Sequence, residues 1–65
     1  MKLWIARDNC GDLNLFTDKP ILMDIGCFVH PTHSFTGKFP LTSNMFSEVT
    51  FENSPQKVKI KLIKN

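Results

Sequence analysis

The chain predicts a small all-β domain, an antiparallel sheet or barrel built from two hairpins plus a middle strand, with at most one short helical turn. Three observations lead there. Residues 48–64, EVTFENSPQKVKIKLIK, alternate polar and apolar about a turn; residues 2–18 alternate likewise about Asp8–Asp12; and no stretch sustains a helical period. The 65 residues make a single domain (1–65) near the lower size limit for a self-supporting core.

The first hairpin runs from Lys2 to Asp18. Gly11 supplies the positive φ that the Asp8–Asp12 turn needs, and a five-residue loop pairs Ile5 with Leu15, Trp4 with Phe16 and Lys2 with Asp18, a more satisfying set than the shorter-loop alternative of Asn9 with Asp12 and Asp8 with Leu13. Leu3, Ile5, Leu13 and Leu15 then share one face, and Trp4, Ala6 and Phe16 the other. One face packs in the core. Later loops cover the other, or Trp4 and Phe16 form an aromatic contact patch.

Pro20 ends the hairpin, since proline has no donor for a ladder. Residues 21–25 fit neither period. Gly26–His30 reads as the middle strand, stopped by Pro31, and PTHSFTGKFP reads as loop or a broken edge strand with Phe39 extended before Pro40. In LTSNMFS, Ser43 caps a single turn that lays Met45 and Phe46 over the sheet. The last hairpin pairs Glu52 with Lys57, Thr50 with Lys59 and Glu48 with Lys61 outside, and Phe51 with Val58 and Val49 with Ile60 inside. The expected core is Leu3, Ile5, Leu15, Phe28, Phe46, Val49, Phe51, Val58, Ile60 and Leu62.

Six Phe and one Trp exclude a disordered chain, and a net charge of +2 permits nucleic-acid binding without indicating it. No signal peptide and no run of about 20 apolar residues is present, so the expectation is a soluble, cytoplasmic protein without membrane contact, its two cysteines reduced.

Cys27, His30 and His33 follow a C-x2-H-x2-H spacing, with Cys10 as a fourth ligand for a small zinc-stabilised domain. Pro31 separates the histidines, the usual paired-cysteine knuckle is missing, and strand alternation sends Cys27 and His30 to opposite faces. The reading is therefore no metal and no cofactor, with Cys27 buried and both histidines in solvent. Pairs such as Cys27 with His30, or Asp24 with His33, lack the surroundings of a catalytic site, and Thr36-Gly37-Lys38 lacks the rest of a phosphate loop. The chain is expected not to be an enzyme.

The segments LWIARDNCGDLNLFTDKP and MFSEVTFENSPQ, about half of the chain, resemble short uncharacterised proteins carried by gut bacteria, their phages and their mobile elements. The resemblance implies a bacterial, intracellular setting and carries no catalytic residues across. Small phage proteins often bind and redirect a host protein. The expected function is accordingly a protein-binding module that modulates a host protein, with Trp4, Phe35, Lys38 and Phe39 as contact residues and an open sheet edge available for a homodimer. The alternative is a single-stranded nucleic-acid-binding β-barrel using Phe35, Lys38 and Phe39 with the lysines at 57, 59 and 61.

Overall fold

The computed structural model describes residues 2–32 and 36–59. Its strands are β1 (Lys2–Arg7), β2 (Leu13–Phe16), β3 (Ile21–Leu22), β4 (Phe28–Val29), β5 (Lys38–Leu41) and β6 (Gln56–Lys59). Four form an open antiparallel sheet in the order β5-β2-β1-β6, and β3 pairs with β4 alone. The domain is all-β and its sheet has two ends, so the barrel alternative is not realised. Among the described residues no segment is helical.

The first hairpin has the expected register, with Trp4 opposite Phe16 and Ile5 opposite Leu15. Its loop is closed by Asp8 N–H donating to the Asp12 carbonyl at 2.8 Å and Gly11 N–H to the Asp8 carbonyl at 2.9 Å, with Gly11 at φ 98°. This is a type I turn completed by a left-handed residue. The same device builds the β3–β4 hairpin: Met23 N–H meets the Cys27 carbonyl at 2.7 Å, Gly26 N–H the Met23 carbonyl at 2.9 Å, and Gly26 has φ 86°. A side chain at Gly26 would also strike the Asn9 amide. The expected middle strand is thus half of a hairpin whose other half is Ile21–Leu22. Lys2 does not meet Asp18 in the ladder, because β2 ends at Phe16 and Asp18 turns to His30.

Both faces of the sheet are covered. On one, Ile5, Leu13 and Val49 are buried together, with Leu41 and Val58 against them. On the other, Ala6, Phe16 and Phe28 are buried, flanked by Trp4 and Phe51. Phe16, fully buried, contributes roughly 1.5–3 kcal/mol by its removal from water. An aromatic patch of Trp4 and Phe16 is therefore excluded. Phe46, expected inside, is exposed, and Ile60 and Leu62 lie outside the described residues.

The hairpin expected over residues 48–64 is not formed. β6 pairs with β1, placing Val58 opposite Leu3 and Gln56 opposite Ile5. Glu52 does not face Lys57, nor Thr50 Lys59; Glu48 with Lys61 falls outside the described residues. The cause is local. Thr50 N–H donates to Asn53 Oδ1 at 2.7 Å while Asn53 N–H donates to Thr50 Oγ1 at 3.2 Å, and Ser54 Oγ donates to the Thr50 carbonyl at 2.5 Å. Side chains thus claim the backbone groups that a strand would need. The single helical turn over 43–47 is likewise replaced by two turns, Met45 N–H to the Thr42 carbonyl at 3.0 Å and Val49 N–H to the Phe46 carbonyl at 2.9 Å.

Residues 42–55 instead wrap the end of β1. Val49 enters one apolar layer and Phe51 the other. Arg7 holds the wrap in place. Its Nε donates to the Val49 carbonyl at 2.6 Å, one terminal nitrogen to Gly11 and Ser43 carbonyls at 2.8 Å, and the other to Met45 and Phe46 carbonyls at 2.9 and 3.2 Å. Its own amide donates to Ser54 Oγ at 2.9 Å. All of the guanidinium donors are used, and lysine offers neither their number nor the planar fork. Arg7→Ala should cost about 3 kcal/mol in urea denaturation and Arg7→Lys about 2 kcal/mol. A loss below about 0.5 kcal/mol in both variants would show that the wrap does not depend on this side chain.

Candidate interaction surfaces

Among the residues expected to make contacts, Phe39 is 47% exposed on the edge strand β5. Trp4 and Lys38 are half-buried, and Phe35 lies outside the described residues. Lys38 Nζ sits 5.9 Å from the centre of the Phe16 ring and Lys19 Nζ 5.7 Å from that of Trp4, within cation–π range.

Among the described residues, the longest run of exposed large apolar side chains falls where the sequence pattern fits neither strand nor helix. Ile21, Leu22, Met23 and Ile25, at 49%, 52%, 42% and 75% exposure, occupy β3 and the tip of its hairpin around Asp24. The hairpin is anchored below the tip, with Phe28 in the core, Asn9 N–H on the Gly26 carbonyl at 3.0 Å and Phe28 N–H on buried Asp8 Oδ1 at 2.8 Å. The opposite face of the sheet carries a groove of about 480 Å³ lined by Leu15, Leu41, Met45, Phe46 and Val58, with Glu48 among its lining residues.

Neither outer edge of the sheet is a clean template for another strand. Thr17 N–H donates to the Gly37 carbonyl at 3.0 Å, which sets the phase of the β2–β5 ladder and turns Pro40, lacking a donor, outward. On β6 the bond from Arg7 N–H to Ser54 Oγ sets the phase, so Lys57 faces outward beside Pro55. Proline and lysine at these positions oppose edge pairing.

The titratable groups serve the fold. His30, expected in solvent, is buried. Its Nδ1 accepts from Thr32 N–H at 3.2 Å, leaving Nε2–H to donate to Asp18 Oδ2 at 3.0 Å, with Thr17 Oγ1 at 3.1 Å. Gly37 lies so close that a side chain there would meet the imidazole at 2.5 Å. Among the described residues, the weak zinc candidates Cys10, Cys27 and His30 do not form one ligand group. His30 is engaged, His33 lies outside the described residues, and Cys10 stands with Asp8 and Asp12, their ligand atoms within 4.8 Å of one another, in a group that does not include Cys27. Cys10 Sγ contacts Asp12 Oδ2 at 3.5 Å, and both cysteines are free thiols. Burial pushes the half-buried Cys27 thiol up, and the Asp8 carboxylate raises it further.

No protein-family model matches the chain, and no curated protein or solved structure matches it either. No helix among the described residues is long and apolar enough to cross a membrane.

Exposed Cys10 should react with iodoacetamide at neutral pH at least several-fold faster than Cys27, as peptide mapping of the alkylated protein would measure. Because the folded state raises the Cys27 thiol above its ordinary value of 9.0, the stability linked to it is complete below that value and is lost as pH rises above it. Equal alkylation rates in the folded protein would contradict this placement.

Proposed function

We propose that this is a non-enzymatic protein-binding module whose contact element is the apolar tip of the β3–β4 hairpin. The observation that carries the reading is the run Ile21–Ile25, exposed throughout and apolar at four of its five positions. A small domain exposes so much contiguous apolar surface at a cost in solubility, and such patches mark interaction sites. Rigid anchoring below the tip lowers the ordering cost of binding. Apolar side chains entering a partner's pocket would act as the anchors of a larger interface.

Of the two pairs considered for catalysis, Asp24 with His33 reaches outside the described residues, and Cys27 with His30 meets an imidazole already hydrogen-bonded elsewhere. Both His30 nitrogens are occupied, which supports a binding role over a chemical one. The sequence resemblance to phage and mobile-element proteins makes a host protein in a bacterial cytoplasm the partner of choice. The blocked sheet edges favour a partner reached through the tip over a second copy reached through an edge.

The test is capture from bacterial lysate by immobilised wild-type protein and by a Leu22→Ser/Ile25→Ser variant, followed by calorimetry with the purified partner. A stoichiometric complex weakened at least about tenfold by the double substitution is expected, a loss of ~1.4 kcal/mol or more. Equal binding by both proteins would remove the tip from the interface.

A further inference from the structure

We infer that the sheet end around Trp4 is a binding site for the phosphate backbone and bases of a single-stranded nucleic acid. The site is separate from the hairpin tip and does not depend on the protein-binding role.

The argument begins with the register. Pairing of β6 with β1 sets Lys57 directly opposite Trp4 and Lys59 directly opposite Lys2. Lys19 lies over the Trp4 ring, its Nζ 5.7 Å from the ring centre. One half-buried aromatic residue thus has Lys19 over it and Lys57 opposite it in the ladder.

The protein's own acids are placed elsewhere. Had residues 48–64 formed a hairpin, Glu52 would have faced Lys57. In the structure Glu48 lines the groove on the opposite face and Glu52 is exposed in the connection before β6. Asp18, next to Lys19, directs its carboxylate to His30 at 3.0 Å. Lys19, Lys38 and Lys57 are held in no ion pair with a carboxylate among the described residues.

Lysines around an aromatic ring match the repeating chemistry of a single strand, in which phosphates alternate with stackable bases. An acidic peptide offers the charges without the bases, and duplex DNA keeps its bases stacked internally. The aromatic at the centre of the cluster selects the single strand.

Trp4 is the chain's one tryptophan, so its fluorescence reports on the site directly. The experiment titrates the wild-type protein with a short oligothymidine at low salt. Expected are quenching of tryptophan emission, micromolar or tighter binding, and a fall in affinity with salt. Lys19→Ala and Lys57→Ala should each weaken binding about three- to tenfold and reduce the salt slope by about 0.7, consistent with loss of one phosphate contact. Both lysines are exposed, so circular dichroism should remain unchanged. The Leu22→Ser/Ile25→Ser variant should bind the oligonucleotide as wild type does, which distinguishes failure of this site from failure of the tip. Absence of quenching, unchanged affinity in both lysine variants, or equal binding of polyglutamate or of duplex DNA would overturn the assignment.

Discussion

The arrangement of this chain depends on a single cation placed among carbonyls. Arg7 stands at the end of the central strand β1, and its side chain gathers the carbonyls of Gly11, Ser43, Met45, Phe46 and Val49. A carboxylate partner would have fixed one point. Backbone acceptors fix a path, because each bond places a successive part of the connection. The path carries Val49 into one apolar layer and Phe51 into the other, only two residues later. In a domain this small, where little surface can be buried, one connection that contributes to both layers substitutes for a missing element.

That path also determines which surfaces remain. By delivering the chain to β6 beside β1, it sets Lys57 opposite Trp4 and leaves Glu48 and Glu52 in the connection. The β3–β4 hairpin covers Phe16 through Phe28 while its tip stays in solvent. The apolar tip and the basic, aromatic sheet end are thus two consequences of one topology, and their chemistries select different kinds of partner. Pro40 and Pro55 with Lys57 guard the sheet edges, which directs binding to faces and tips.

Much of the fold was legible because local chemistry and pleat agreed. Gly11 in the Asp8–Asp12 turn fixed the first hairpin and its register, and alternation assigned Leu3 and Ile5 to one face. The second hairpin carried the same signal, with Gly26 standing in Met23–Cys27 where Gly11 stands in Asp8–Asp12. It was missed because two-residue strands give no measurable period. The C-terminal segment misled for a different reason. Alternation shows that a strand has two faces and says nothing of which neighbour it meets, so the lysine strand satisfied its pattern as well against β1 as against residues 48–52. The reciprocal Thr50–Asn53 bonds were the sign that residues 50–53 turn. His30 illustrates the limit for sites. Its burial comes from Thr17, Asp18 and Gly37, residues distant in sequence or too small to signal a contact.

The pairing of the last described strand with the first is the claim on which the rest turns, and proton NMR reads it without perturbing the molecule. In the described register Trp4 and Lys57 form a pair without mutual backbone hydrogen bonds, the kind whose α-carbons approach most closely. A strong nuclear Overhauser contact between the α-protons of Trp4 and Lys57 is the expected result. Its absence, together with cross-strand contacts between Glu52 and Lys57, would show the C-terminal hairpin in its place and contradict the account.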